Sequence, residues 1–227
     1  MGLFDTGGFP LGMTDNENIL RQLLENKASV NRSNSKTGLN ALMNAILRNK
    51  TETVKILLSY GANVNQSLFN SRTPLMLVLR PLSRIRFGVN ISMNLDFLES
   101  YLQGNFADAY FGNPEGELTE IRLRKDILSE LLKSKPNLNS YDKNLNTPLL
   151  YACSYFSYSI KSNSNLNSTE LFDIFKELIN HGSNLNYQNE DGATALILAC
   201  ERLPYNIINY MIDKGANVNK LTPACFL

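Results

Sequence analysis

The side chains able to do covalent or metal chemistry are few. His181 is the only histidine, and the cysteines are Cys153, Cys200 and Cys225. A Cys–His nucleophile needs its base within hydrogen-bond reach of the sulfur. His181 stands in Asn180-His181-Gly182, which reads as a helix C-terminus, a place where a histidine suits the helix dipole. Cys153 and Cys200 each follow a small Ala in an apolar helical run, so both are expected in the core. One His and three scattered Cys do not have the paired spacing of a zinc site. No Walker loop, dinucleotide fingerprint, Gly-x-Ser-x-Gly elbow or kinase motif is present, and no two carboxylates stand out as an acid–base pair. The expectation is a chain that is not an enzyme and holds no cofactor or metal, so function has to come from the surface its elements present.

Composition narrows that surface. Lys plus Arg number 22 and Asp plus Glu 21, interspersed, for a net charge of +1; this argues against a nucleic-acid footprint. There is no run of 18 apolar residues and no charged-then-apolar leader, so neither a membrane span nor a secretory signal peptide is expected. Unpatterned cysteines imply a reducing compartment, and the expected location is cytoplasmic. Asparagine is abundant, about thirty by count, a composition that fits an AT-rich genome such as that of an intracellular bacterium. Met1-Gly2-Leu3-Phe4-Asp5-Thr6 matches the loose N-myristoylation pattern, against the alternative of an ordinary frayed terminus.

The elements that organise the chain repeat. Gly61-Ala62-Asn63-Val64-Asn65 returns as Gly215-Ala216-Asn217-Val218-Asn219, with weaker copies ending at Asn31, Asn139 and Asn186. The closing asparagines fall at 31, 65, 139, 186 and 219, with gaps of 34, 74, 47 and 33. A unit of about 33 residues explains these gaps if the third repeat carries an insert of about 41 residues and the fourth one of about 14. Each unit opens alike, at Asn40-Ala41-Leu42, Thr73-Pro74-Leu75, Thr147-Pro148-Leu149 and Thr194-Ala195-Leu196. Thr caps a helix and Pro suits its first position. The second helix of each unit carries a period-3.6 stripe: Val54, Leu57, Leu58; Ile127, Leu128, Leu131; Ile174, Phe175, Leu178; Ile207, Ile208, Met211. Gly61, Gly182 and Gly215 sit where a left-handed C-cap is expected.

These motifs resemble the ankyrin-repeat family, over roughly residues 9–219 apart from the inserts. The resemblance implies an all-α solenoid of about five helix–turn–helix repeats with short β-hairpin fingers. The expected repeats are 9–31, 32–65, 66–139 with insert 82–119, 140–186 with insert 157–168, and 187–219, followed by a stub at 220–227. Departures are visible. The family's His after Thr-Pro-Leu is Met43, Met76, Leu150 or Ile197 here, Ser71 and Leu145 replace the finger glycine kept at Gly38 and Gly192, and Lys27 and Lys135 replace the C-cap glycine. The Ser71 and Leu145 turns are expected to be strained or reshaped.

Taken in order, Thr14-Asp15-Asn16-Glu17 reads as a capping box before Ile19, Leu20, Leu23 and Leu24, in a first repeat whose first helix is short or lost. Asn49 with Glu52 reads as the start of a second helix. Insert 82–119 holds Phe87, Phe97, Tyr101, Phe106, Tyr110 and Phe111, too many aromatics for a free linker; it is read as binding a partner or as patching the joint between repeats three and four. Gly112-Asn113-Pro114-Glu115-Gly116 reads as a turn, with the helix resuming near Ile121. Arg122, Arg124 and Lys125 read as its solvated face, and Ser157 to Ser168 as a loop. The ending at 220–227 starts another Thr-Pro element, read as a stub cap or as a chain continuing past Leu227.

The resemblance implies a protein-binding scaffold, expected as a monomer, whose finger tips and first-helix ends line one groove. Carried over by position, the contact residues are Lys36, Leu39, Phe69, Arg72, Lys143, Asn144, Asn146, Glu190 and Asp191 from the fingers, and Arg48, Arg80, Tyr155, Glu201 and Arg202 from the helix ends. Arg and Tyr are common interface anchors, and the tip position of Phe69 leaves two readings open, a partner contact or a fold-back on the next finger. The family is also hydroxylated on the closing Asn of its Val-Asn ending. Asn65 and Asn186, with Leu57 and Leu178 eight residues upstream, match that pattern, although Asn63 and Asn184 stand where the family has Asp. The implied role is a bacterial effector or its interaction domain binding a host protein in the host cytosol. The alternatives are a targeting or regulatory part of a larger enzyme, or an aromatic insert that forms a ligand pocket.

Overall fold

A computed structural model describes residues 10–14, 16–35, 37–79, 114–162, 168–201 and 203–222. Ten helices occur among them: α1 Pro10–Met13, α2 Glu17–Glu25, α3 Ala41–Leu47, α4 Thr51–Ser59, α5 Pro74–Leu79, α6 Pro114–Lys133, α7 Pro148–Ser162, α8 Ser168–Asn180, α9 Ala195–Cys200 and α10 Tyr205–Asp213. The odd-numbered helices pack in one row, α1 on α3, α3 on α5, α5 on α7 and α7 on α9, and the even-numbered ones in a second row alongside. This is an all-α repeat solenoid, in which each repeat buries its apolar face against its neighbours.

The stripes face inward as the spacing predicts. Val54, Leu57, Ile127, Leu128, Leu131, Phe175, Leu178, Ile207 and Met211 are fully buried. Leu20, Leu42 and Leu149 extend the same core through the first helices and the N-terminal repeat. The small residues Ala45, Val78, Ala152 and Ala199 are buried where neighbouring helices approach.

The caps hold too. Asn40 Oδ1 accepts from the Met43 N–H at 2.8 Å, and Thr73, Thr147 and Thr194 accept likewise from Met76, Leu150 and Ile197 at 3.3–3.4 Å. The α1 helix is a single turn opened by Pro10.

Some boundaries differ from the sequence reading. The α2 helix is capped by Asn16, whose side chain accepts from Asn18 and Ile19, so the cap falls two residues after Thr14. Lys50, not Asn49, precedes α4; Asn49 takes φ 53° and ends α3 instead. Pro114 begins α6 rather than a turn, so 114–119 of the expected insert are helical. Proline fits a first helical position, and the run Glu115 to Lys133 contains only Gly116 as a weak former. The α7 helix continues through Ser157 to Ser162, a run with no Gly or Pro to interrupt it.

The fingers are tight turns closed by two backbone bonds. In the last three, Leu68, Asp142 and Asn189 donate to the carbonyls of Arg72, Asn146 and Ala193, and the N–H of Ser71, Leu145 or Gly192 returns to the turn's start. Only an isolated antiparallel bridge, Ser33 to Asn40, registers as β-structure among the described residues. Ser71 and Leu145 adopt φ 65° and 58°, and Lys27 and Lys135 φ 64° and 53°. The replaced glycines therefore left the turn geometry intact, and the side chains bear the strain.

Candidate functional site

Between repeats, the closing asparagines form a ladder. Asn31 Oδ1 accepts the Asn63 N–H at 2.7 Å, Asn65 that of Asn137 at 2.8 Å, Asn139 that of Asn184 at 2.8 Å, and Asn186 that of Asn217 at 2.7 Å. The amides of Asn31, Asn139 and Asn186 donate to the carbonyls of Gly61, Gly182 and Gly215 at 3.1–3.2 Å. Asn63, Asn137, Asn184 and Asn217 in turn accept from the N–H two residues on. Much of the asparagine content is therefore structural. Asn65 and Asn186, the residues matching the hydroxylation pattern, are rungs of this ladder.

The fingers are aligned by direct bonds. The Phe69 N–H donates to the Thr37 carbonyl at 3.2 Å, and the Glu190 N–H to the Asn144 carbonyl at 3.1 Å. Gly38 lies where a Cβ would meet Leu68 Cα at 3.2 Å and the Phe69 nitrogen at 3.3 Å, so a side chain there would separate two fingers. On this framework Phe69 is 62% exposed at its tip while Leu68 is buried beneath it. Lys143, Asn144, Glu190 and Asp191 are exposed beside it along the finger row, and Arg48 and Glu201 are exposed at the ends of the first helices, whereas Ser154 is exposed in mid-helix on α7.

Other expected contact residues turn inward. Leu39 is buried, because its position sits on the core side of the closed turn. Arg72 is buried between repeats three and four; its Nε donates to the Tyr151 hydroxyl at 2.9 Å, lies 3.8 Å from Asp142 Oδ2, and its guanidinium stacks 5.6 Å from the Tyr151 ring centre. Tyr151 donates to Asp142 in turn, and Asp142 Oδ1 accepts from the N–H groups of Asn144 and Asn146. Asn146 is half-buried and accepts from Asn189 at 3.1 Å. Lys36, Arg80 and Arg202 lie outside the described residues, as does insert 82–119 up to 113; Tyr155 lies on α7, its side chain outside what is described.

Arg124, read as solvated, is instead 4% exposed and donates to the Val78 carbonyl at 2.6 Å. It thereby satisfies the C-terminal end of α5, whose last carbonyls have no helical partner. Its neighbours pair across to α8, Arg122 with Glu170 at 3.2 Å and Lys125 with Asp173, and Ser129 donates to Glu177. The spacing does separate the two, since Arg124 stands three residues after Ile121 and four before Leu128 on the buried stripe, whereas Arg122 stands off it.

The reactive groups stay apart. Cys153 is fully buried, and desolvation pushes its thiol well up. Cys200 is exposed, contrary to the core expectation; its buried equivalents Ile46, Leu79 and Cys153 are each followed by a further described repeat, and no described repeat follows Cys200. His181 Nδ1 lies 2.8 Å from the Glu177 carbonyl at the end of α8. No group of three potential metal ligands occurs among the described residues. A cavity of about 10 Å³ near Leu11, Asn44 and Thr53 has room for a single water. No helix among the described residues is long and apolar enough to cross a membrane.

The profile described as ankyrin repeats (3 copies) matches residues 12–80 and 121–222. The chain belongs to the ankyrin-repeat family, whose members are generally protein–protein interaction modules and typically non-catalytic. No curated protein matches the chain.

Proposed function

We propose that this chain is a non-catalytic scaffold that binds a host protein across its finger tips and first-helix ends, as a secreted bacterial effector or the interaction domain of one. The supporting observation is Phe69, a large aromatic held out to solvent on a finger whose backbone is bonded to its neighbour. An anchor fixed in advance loses little entropy on binding. Lys143, Glu190, Asp191 and Glu201 supply a mixed-charge rim, the usual surround of an aromatic contact. The effector reading rests on the asparagine-rich composition, and the host cytosol on the three unpatterned cysteines.

The test is capture from host-cell lysate by the wild type, Phe69→Ala, Arg80→Ala/Tyr155→Ala, and Glu25→Ala as a control. Loss of one captured protein by about tenfold in the first two variants, with the control intact, is the expected result. Equal capture by all four removes the finger surface from consideration. We further propose Asn65 and Asn186 as hydroxylation sites; intact mass after incubation with an asparaginyl hydroxylase checks this, and an unchanged mass dismisses it.

A further inference from the structure

We propose that the finger row holds an extended segment of its partner that presents an apolar, an acidic and a basic side chain in that order, three residues apart, counted from repeat three to repeat five. This rests on the finger-tip reading above and adds the chemistry of what those tips hold.

The order comes from one slot of the turn. Leu68, Asp142 and Asn189 each open a finger, so the residues after them, Phe69, Lys143 and Glu190, are equivalent tips of three successive fingers. All three are exposed, with exposed Asp191 next to Glu190. Phe69 and Lys143 each have a further described finger after them and are exposed all the same, so solvent reaches this slot inside the row and not only at its last member. The slot therefore runs aromatic, cation, anion.

The charges at these tips have no mates. On the second helices acids and bases pair within the chain: Lys55 with Glu52 at 2.6 Å, Arg122 with Glu170 at 3.2 Å, Lys133 with Glu130 at 2.8 Å, and Lys125 with Asp173. Among the described residues neither Lys143 nor Glu190 enters an ion pair, although they stand on adjacent fingers. Unmated charges in a fixed order suit a partner that carries the opposite ones, and such complementarity selects among partners more than it adds affinity.

The row keeps that order because its fingers are tied together. Arg72 closes the first of the three fingers and lies 3.8 Å from Asp142, which opens the second. The second is bonded to the third from the Glu190 N–H to the Asn144 carbonyl and from the Asn189 amide to Asn146, both at 3.1 Å. Packed helices stand about 8–10 Å apart, and the tips they carry follow at that spacing. A polyproline II strand has three residues per turn and rises about 3.1 Å per residue, which puts every third side chain on one side about 9 Å from the last. That match sets the three-residue period.

Selection of a random dodecapeptide phage library on the immobilised full chain tests this. The expected result is enrichment of peptides with an apolar residue, then Asp or Glu, then Lys or Arg at every third position, in either chain direction. The charge-swapped variant Lys143→Glu/Glu190→Lys/Asp191→Lys should enrich the order apolar, basic, acidic. It should also bind a synthetic peptide selected on the wild type about tenfold more weakly, read by fluorescence anisotropy at low salt. Should the swapped variant lose helical circular dichroism, Lys143→Gln takes its place and should weaken that peptide about threefold. Enrichment without the charge order, or the same peptides from wild type and swapped variant, would overturn the proposal. So would peptides that Phe69→Ala binds as tightly as the wild type, and a selection that enriches nothing would rule out an extended occupant. A missing charge order or an empty selection leaves the scaffold reading standing, because that reading fails separately, on equal capture of the host protein by Phe69→Ala.

Discussion

The joint between repeats three and four and the joint between four and five share one ladder but differ in everything around it. At three–four, Arg72, Tyr151 and Asp142 form a buried charged cluster, and ion pairs cross from α6 to α8. At four–five the contacts are aromatic. Tyr141 stacks on Tyr187 with ring centres 5.9 Å apart, Phe172 meets Tyr210 edge-on at 5.5 Å, and the Tyr210 hydroxyl donates to Asn180 at 2.7 Å. The difference teaches that the ladder sets the spacing of repeats while the packing around it is free to be ionic or apolar. It also assigns the joints different failure modes, since a buried ion pair that loses one member leaves an uncompensated charge, whereas an aromatic contact loses only area.

Breaking the charged cluster should have the largest effect. Arg72→Met leaves Asp142 buried without its cation and should cost about 3 kcal/mol, while Tyr210→Phe at the other joint should cost less than about 1 kcal/mol; urea unfolding followed by circular dichroism compares them. Equal losses would erase the distinction. Next, Leu145→Gly should raise stability by about 1 kcal/mol, because a left-handed residue at the three–four side gains what Gly192 already has at the four–five side. Thermal unfolding reads this as a higher midpoint.

The ladder itself sharpens the comparison at smaller scale. Asn139→Ala removes bonds to Asn184 and Gly182 and should cost about 1 kcal/mol, while Asn219→Ala should change the midpoint by less than the error of the measurement. Lys125 adds a small effect that depends on pH. Its bond to Asp173 raises its pKa above the usual 10.5, so its contribution is present below the unfolded lysine value and is lost as pH rises through the raised folded one. Lys125→Met should therefore lower the unfolding midpoint slightly and evenly at neutral pH, by less than about 1 kcal/mol for a partly exposed pair, and the gap should close above pH 10.5.

The repeat spacing and the inward stripes could be read from sequence because each is local and recurs: Leu57, Leu131, Leu178 and Met211 announce one another. The fates of Arg72 and Cys200 could not. Arg72 and a solvated finger arginine look alike until Asp142, 70 positions later, is placed against it. Cys200 and Cys153 share a slot and a local sequence, and they differ in whether a further described repeat follows. Contacts between repeats depend on what is next in space, and the inserts hide that order from any local pattern. Among the expected finger residues, those that proved exposed, such as Phe69 and Lys143, lie at the tips, where no neighbour reaches over them.

The asparagine ladder joins a side chain of one repeat to the main chain of the next. Main-chain groups are common to every residue, so the joint does not depend on which amino acids the following loop carries. Lys135 stands where other repeats have glycine, and 74 residues rather than 33 separate Asn65 from Asn139, yet Asn65 still finds the Asn137 N–H at 2.8 Å. A coupling of this kind lets individual modules drift, lengthen or be exchanged in evolution without matched changes next door, so the exposed tips can vary while the row behind them stays in line.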